Sequence, residues 1–259
     1  MTHDSQRPVR IGVQIRPQHA EYAQIGRACA AVEDAGVDIV FNWDHFWPLG
    51  RGPDAEGRHF ECWTMLGAWA ESTSRVEFGP LVSAIGYRNP DLLADMARTV
   101  DHISGGRLVL GVGAGWFQRD YDEYGYEFGT APDRLKALRE ALPRIKSRLA
   151  KLNPPAPDLP LMIGGGGEKV TLRLVAEYAR FWNVLGDPEA FRHKNQVLDE
   201  WCAELGRDPK EIDRTVLIGD NQLDSVEDYL KAGATHIIYG CNAPFDLAPV
   251  KRLLETARG

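Results

Sequence analysis

The chain has 259 residues, 44% of them hydrophobic, and a formal net charge of −7 at pH 7. This length fits one α/β barrel or two ordinary domains, and the negative charge argues against nucleic acid as the main partner. Four scattered cysteines without a CxxC pair indicate neither a zinc cluster nor a disulfide framework, and no metal site is predicted.

Residues 1–8 contain no apolar segment of the kind found in secretion signals. No stretch of the chain approaches the length of a membrane span. We therefore expect a cytoplasmic protein that acts on a small molecule and binds neither nucleic acid nor a membrane.

Short apolar or β-branched segments alternate with longer amphipathic segments along the chain. The predicted strands are residues 11–15, 39–42, 76–82, 108–112, 159–163, 182–185, 215–218 and 236–239. The predicted helices are residues 19–35, 60–73, 90–103, 132–151, 168–180, 188–205, 224–232 and 247–257. Eight βα units of roughly thirty residues each fit a (β/α)8 barrel. The sequence therefore predicts the α/β fold class, with residues 1–259 forming a single TIM barrel.

Local signals mark several helix ends. Asn89 and Asp187 each precede a proline, which is typical of an N-cap followed by proline at the first helical position. Asp224 and Glu227 have the spacing of a variant capping box. Glycines that mark helix ends are Gly36, Gly206 and Gly233.

The second predicted strand ends in a polar pair, Asp44 and His45, between aromatic residues. In a barrel, the carboxyl ends of the strands carry the active site. Apolar surroundings disfavour charge, which suits proton transfer or hydrogen bonding to a heteroaromatic ring. The sequence predicts Asp44 and His45 as catalytic residues, and a polar pair that only orients the loop is the structural alternative.

The fourth predicted strand ends in a glycine-rich turn, formed by Gly113, Ala114, Gly115 and Trp116. A dinucleotide fingerprint would need glycine at position 116, so this motif fails. The glycines still allow a flat ligand to approach the backbone closely, whereas barrel-corner glycines without a ligand are the alternative. The segment 116–132 and the loop 48–58 are candidate lids, and aromatic residues on such loops more often pack on the rim than touch substrate.

The fifth predicted strand runs into four consecutive glycines and then a helical pattern. These residues are Gly164, Gly165, Gly166 and Gly167. Glycines let a ligand approach the main chain, and the amides that open a helix attract anions, so this junction predicts a phosphate site. A flexible turn is the alternative. Because Glu168 and Lys169 follow, the run is not a Walker P-loop. Lys169 and Arg173 are placed either to reach the phosphate or to coat the barrel.

Several motifs in their order along the chain resemble the luciferase-like oxidoreductases. They are Trp43-Asp44-His45-Phe46, Gly79-Pro80-Leu81-Val82, Tyr87-Arg88-Asn89-Pro90, the segment 92–107, Gly111-Val112-Gly113-Ala114-Gly115-Trp116 and Ile163-Gly164-Gly165-Gly166-Gly167. Within that superfamily the chain is most similar to the actinobacterial branch that uses the deazaflavin coenzyme F420. The similarity extends from about residue 10 to residue 218 and is much less specific for the substrate.

The resemblance implies that the cofactor ring lies across the barrel mouth on a bulge with a non-prolyl cis peptide, at Leu81-Val82 or one bond later. Leu81, Val82 and Ser83 are accordingly predicted to contact the cofactor. Asp44 and His45 match the family's pair beside the ring. The glycine-rich turns at 113–116 and 164–167 match the loops around the ribityl and phosphate portions.

Two departures from the family pattern bear on function. Only residues 152–159 separate the helix from the fifth strand, so the usual insertion is shortened. Trp116 stands where relatives that act on sugar phosphates carry an acidic residue.

We predict an F420-dependent oxidoreductase that transfers a hydride between the deazaflavin and a small organic substrate, and we expect a homodimer. The first alternative is a monooxygenase that uses reduced FMN and oxygen. The second is a non-catalytic protein that only binds a flavin or deazaflavin.

Overall fold

The computed structural model describes residues 8–258, which form a closed barrel of eight parallel strands. The strands follow one another around the barrel in chain order, and the first pairs with the last. They are β1 (Arg10–Ile15), β2 (Ile39–Asp44), β3 (Glu77–Ala84), β4 (Leu110–Gly113), β5 (Leu161–Gly164), β6 (Phe181–Val184), β7 (Asp213–Ile218) and β8 (His236–Cys241). The predicted TIM barrel is confirmed.

Helices surround the barrel. Within residues 8–258 they are α1 (Tyr22–Asp34), α2 (Cys62–Ser72), α3 (Pro90–Ser104), α4 (Gln118–Tyr124), α5 (Ala131–Lys151), α6 (Thr171–Tyr178), α7 (Pro188–Leu205), α8 (Val226–Lys231) and α9 (Ala248–Arg258). Short 3-10 helices are Gly52–Ala55, Ile85–Tyr87, Pro209–Glu211 and Asp220–Ser225. Every predicted strand and helix is present, and α4 is an addition. Among these residues, no helix is long and apolar enough to cross a membrane.

The predicted helix caps are confirmed at two of three starts. Asn89 accepts a hydrogen bond from an amide in the first turn of α3, and Asp187 does the same for α7. The capping box predicted for α8 is wrong. The chain enters α8 from a 3-10 helix with Ser225 as N-cap, and Asp224 instead forms an ion pair with Arg252.

Two apolar layers hold the barrel together. Strand residues that alternate with the helix-facing ones fill its interior, and this cluster comprises Ile39, Phe41, Leu81, Val109, Met162, Phe181 and Ile238. A much larger cluster packs the outer strand faces against the helices. Burial of this apolar surface is the main stabilising term. The strands are thereby held as a rigid support for the loops at their carboxyl ends.

The end of β3 departs from regular geometry. The peptide Leu81–Val82 is cis, as the resemblance predicts. The register between β2 and β3 shifts between Asn42 and Asp44. The irregularity therefore lies beside the predicted catalytic pair.

Candidate active site

A cavity of about 520 Å³ opens at the carboxyl ends of the strands. Its lining includes eleven of the predicted site residues, namely Asp44, His45, Leu81, Val82, Gly113, Ala114, Gly115, Trp116, Gly164, Gly165 and Gly166. The further lining residues are Ala84, Tyr87, Thr171, Asn183, Val184, Leu185, Lys194 and Leu217. The structure thus brings the separate sequence motifs together around one space at the catalytic rim of the barrel.

Two predicted site residues do not line the cavity. Ser83 is fully buried, and its hydroxyl accepts a hydrogen bond of 3.0 Å from the Trp63 indole of α2. Gly167 faces the start of α6, where a Cβ on it would lie 2.9 Å from the Thr171 hydroxyl. The irregular end of β3 exchanges the side chains that face inward and outward, so Val82 lines the cavity and Ser83 does not.

His45 is held by a carboxylate from a distant part of the chain. Its Nδ1 lies 2.6 Å from Oδ2 of Asp120, which belongs to α4 and is fully buried. The Tyr87 hydroxyl donates to the same oxygen at 2.7 Å, and the amides of Phe46 and Trp47 donate to Oδ1. Because the carboxylate accepts, Nδ1 carries the proton in the neutral ring. The Nε2 lone pair is left for a partner in the cavity.

Aromatic rings enclose the imidazole on several sides. Trp43, Trp116 and Phe117 meet the His45 ring edge-to-face, with centroid distances of 5.8, 5.7 and 5.5 Å. The His45 side chain keeps about 11% of its surface exposed. This packing fixes the ring plane, so the direction of Nε2 is set by the fold.

Tyr87 completes this group as a neutral donor. Burial raises the pKa of the Tyr87 hydroxyl, and the hydrogen bond to Asp120 raises it further. The phenol therefore keeps its proton and donates it in the hydrogen bond to Asp120.

Asp44 has a different set of partners. Its carboxylate is buried and forms a bidentate ion pair with Arg88, at 2.5 and 3.0 Å. The same guanidinium donates to Glu61 at 2.7 Å. Burial alone would lower the pKa of Arg88, but Asp44 and Glu61 outweigh it and raise the pKa. Asp44 therefore lies in the cavity lining as a carboxylate paired with the Arg88 guanidinium.

The glycine run is an ordered turn. The Gly165 amide donates to Asn183 O, and its carbonyl accepts from the Trp182 indole, both at 2.9 Å. Gly165 has a φ of +128°, which disfavours any side chain. Within the described residues, the amides of Gly166 and Gly167 donate to no protein acceptor. These features argue against the flexible turn and leave two main-chain donors, one at Gly166 in the cavity lining and one at the adjacent Gly167.

One lysine at this edge was missed by the sequence reasoning. Lys194 of α7 lines the cavity, and its Nζ forms an ion pair with Glu168 at 2.5 Å. Lys169 lines a separate surface groove, and Arg173 lies over the Trp201 ring at 5.3 Å. Of these three basic residues, Lys194 is therefore the one that lines the cavity beside the glycine run.

The aromatic residues that follow Trp116 pack on the barrel rim. Tyr121 is buried against Phe128, and Phe46 lies 4.2 Å from Tyr124 between ring centroids. Trp116 differs, because it lines the cavity with 65% of its surface exposed. It is the aromatic residue of this segment placed to cover a ligand.

A flavin-type cofactor fits the residues that are present. The apolar lining and the glycine edges leave room for a flat ring, and a Cβ on Gly113 would lie only 2.8 Å from Val82. The two main-chain donors and Lys194 offer partners for a phosphate. Within residues 8–258, no group of three or more His, Cys, Asp or Glu is arranged to hold a metal ion.

The fold and the cavity define a TIM-barrel protein with a cavity at the carboxyl ends of its strands. Residues 6–219 match the family model described as luciferase-like monooxygenase. The chain belongs to this family.

One relative by sequence is a putative coenzyme F420-dependent oxidoreductase of Mycobacterium tuberculosis. It is 28% identical over 75% of this chain, and the match spans 59% of its own length.

Two solved structures share the fold. An F420-dependent secondary alcohol dehydrogenase bound to an F420-acetone adduct has a TM-score of 0.83 and 16% identity, over 97% of this chain and 98% of its own. An F420-dependent tetrahydromethanopterin reductase of Methanopyrus kandleri has a TM-score of 0.78 and 19% identity, over the same shares. These likenesses confirm the luciferase-like barrel.

Proposed function

We propose that this protein is a coenzyme F420-dependent oxidoreductase that transfers a hydride between the deazaflavin and a small organic substrate. The observation that carries the proposal is the placement of His45. Its Nδ1 is anchored to the buried Asp120, and its second nitrogen is left for a ligand of an apolar cavity edged with glycines. A polar group fixed in this way is arranged to exchange a proton with a bound molecule.

The relatives support F420 as the cofactor. The sequence relative and both structural neighbours described above carry F420 dependence in their names. The match to the two structures extends over nearly their whole length, which agrees with the short connection between α5 and β5.

His45 is the residue proposed to hold or deliver the proton. When bound, the deazaflavin carries the hydride, as is usual for a cofactor that supplies the redox chemistry. Reduction of a carbonyl also needs one proton at its oxygen. Protonated on Nε2, the His45 ring can donate that proton, and Asp120 stabilises the charged ring through Nδ1. In the reverse direction Nε2 accepts the alcohol proton.

Asp44, Arg88 and Tyr87 are proposed to shape the site rather than to transfer protons. The ion pair fixes the rim of the cavity beside His45. Tyr87 supports Asp120 from the cavity wall. The cofactor ring is proposed to contact Leu81, Val82, Gly113 and Gly164. The phosphate portion is proposed to contact Gly166 and Lys194.

Cofactor preference tests the proposal. Purified protein is titrated with F420 and, separately, with FMN while tryptophan fluorescence is followed, because Trp116 lines the cavity and is exposed. We expect F420 to bind at least tenfold more tightly, a difference of about 1.4 kcal/mol. Tenfold tighter binding of FMN would overturn the proposal in favour of the monooxygenase. Tight binding of F420 without turnover across ketones, enones and imines would favour the non-catalytic alternative.

A further inference from the structure

We propose that Arg16, at the carboxyl end of β1, binds a carboxylate group of the substrate. The inference deepens the proposed function, because it assigns a chemical class to the molecule that receives or gives the hydride. It rests on the position of Arg16, on its lack of a charged partner and on its contact with Trp43.

The position follows from the alternation of side chains along β1. Gly12 faces the barrel interior, where a Cβ would lie 3.0 Å from the side chains of Ile39 and Ile238. Gln14 faces the same way, since its amide crosses the barrel to Leu81 O at 3.1 Å. Arg16 is the next residue of this face. Its side chain therefore lies at the mouth of the barrel, on the rim that carries the cavity.

Two arginines of the same face differ in their partners. Arg10, at the opposite end of β1, forms an ion pair with Glu77 at 2.8 Å. Arg16 forms no ion pair within the described part of the chain, although it is half-buried. Its one side-chain hydrogen bond runs from Nη1 to the amide oxygen of Asn242 at 3.0 Å. Its Nε is buried and has no acceptor. Such a cation is stabilised when an anion supplies the missing acceptors.

The nearby acid does not fill this role. Asp220 contributes to the field at Arg16, but it is exposed and accepts a hydrogen bond from the Tyr239 hydroxyl at 2.5 Å. The guanidinium is held in place from two other sides. A Cβ on Gly240 would lie 2.7 Å from Nη2, so glycine at this position leaves room for the guanidinium. The Trp43 ring lies 5.6 Å from Cζ.

Trp43 links this cation to the proposed proton carrier. Its indole N–H donates to His59 at 3.0 Å, which fixes the ring, and the Trp43 and His45 rings meet edge-to-face. Arg16 and His45 thus both contact Trp43. A substrate that reached both groups would place its anion at Arg16 and its reducible carbon near His45, since Trp43 is in contact with both residues. The substrate class is therefore a ketone, enone or imine that carries a carboxylate a few bonds from its reducible carbon.

A carboxylate fits this site better than a phosphate. Arg16 supplies one positive charge and a planar set of donors, which match a planar monoanion. Lys194, the lysine that lines the cavity, lies at the glycine edge and is already paired with Glu168. Among the described residues, the groups that contribute to the field at Arg16 are Cys241, Tyr239 and Asp220, so a phosphate dianion there would meet one positive charge.

Isothermal titration calorimetry with model anions tests the assignment. Benzoate, benzamide and phenyl phosphate are titrated into wild-type protein and into Arg16→Gln, each without cofactor and with F420 bound. We expect wild type to bind benzoate at least tenfold more tightly than benzamide. This preference should fall below twofold in Arg16→Gln, and Arg16→Lys should keep part of it, because the charge remains without the planar fork.

Arg10→Gln is the matched control, since it removes an arginine from the other end of the same strand face. It should keep the benzoate preference. Arg16→Gln should leave the melting temperature unchanged or raised, because Arg16 forms no ion pair. Arg10→Gln should lower the melting temperature, because it leaves the Glu77 carboxylate without its partner. If Arg16→Gln does not fold, Arg16→Lys tests the proposal instead. A benzoate preference and affinity equal to those of wild type in Arg16→Lys would contradict a role for the planar guanidinium.

Three outcomes would overturn the proposal. They are an equal preference for benzoate in wild type and Arg16→Gln, tighter binding of phenyl phosphate than of benzoate, and a loss of F420 affinity in Arg16→Gln with benzoate binding unchanged. The last result would assign Arg16 to the cofactor. Failure of wild type to bind F420 would contradict the proposed function, while the measurement without cofactor would still test Arg16.

Discussion

His45 and Asp120 meet at 2.6 Å between Nδ1 and Oδ2, although 75 residues separate them in the chain. The contact joins the end of β2 to α4, the short helix that follows β4. It places a buried carboxylate behind the imidazole, while the other side of the ring faces the cavity. The proposed proton transfer depends on this pair, because Asp120 sets both the tautomer and the orientation of His45.

Replacing Asp120 with Asn should exchange the hydrogen-bond donor and acceptor nitrogens of the His45 ring. The amide keeps the shape of the carboxylate but presents N–H groups where two donors now point, so the ring should carry its proton on Nε2. Turnover should fall by about 10² or more, and the loss of a charged acceptor should lower the free energy of unfolding by about 1–3 kcal/mol. Asp122→Asn, an exposed position on the same helix, is the control. Equal turnover in the two variants would remove Asp120 from the mechanism.

The Asp44–Arg88 pair should behave as one unit in unfolding experiments. Asp44→Asn leaves a mostly buried guanidinium with Glu61 as its remaining carboxylate, so we expect a loss of about 3 kcal/mol. The double variant Asp44→Asn/Arg88→Met should lose less than the sum of the single variants, with a coupling energy of about 1–3 kcal/mol. Urea unfolding monitored by tryptophan fluorescence measures each free energy. Additive losses would show that the two side chains act independently.

A valine substitution at Gly166 should test the phosphate site more directly than one at Gly165. A valine at Gly165 would be strained by the positive φ in any case. A Cβ on Gly166 would lie 3.0 Å from Val184, so Gly166→Val should narrow the cavity edge and weaken F420 binding about tenfold or more. The control is Gly67→Ala, because a Cβ at that helical position meets no atom within 4 Å. Lower thermal stability with unchanged F420 affinity would support a purely structural turn.

The free energy of unfolding should rise as the pH increases from about 4 to 6.5. Burial, followed by the nearby His45, lowers the pKa of His59 from 6.5 to about 4. Burial likewise lowers the pKa of His236, which stacks on Phe181 inside the barrel. In this window the unfolded chain takes up protons that the folded chain excludes, so stability is lost as pH falls below 6.5.

For His59 the loss amounts to about 3 kcal/mol at most. Urea unfolding at pH 5 and pH 7.5 measures the slope, and His59→Gln should reduce it while keeping an acceptor for Trp43. An unchanged slope in this variant would assign the pH dependence to other groups.

The barrel and most of the cavity could be predicted from the sequence because their signals are local. Each strand is a short apolar segment, and the glycines and the Asp44-His45 pair stand directly after strands. Ser83 could not be placed correctly, because the bulge in β3 reverses the simple alternation of side chains.

Asp120 was missed for a different reason. It lies on a seven-residue helix without apolar periodicity, and its partner is distant in sequence. An acidic residue within the aromatic segment after β4 was the available signal. Tyr87 and Arg88 were noticed as a family motif, but only the folded chain reveals what they contact.

Turnover of reduced F420 by the His45→Phe variant tests the central claim most directly. Phenylalanine keeps a flat ring between Trp43 and Trp116 but removes both nitrogens. A wild-type substrate is first found among ketones, enones and imines, and oxidation of the reduced cofactor is then followed by absorbance. We predict that the variant binds F420 within about 1 kcal/mol of wild type, less than tenfold in affinity, and turns over about 10²-fold more slowly or worse. Wild-type turnover in His45→Phe with cofactor bound normally would contradict the account.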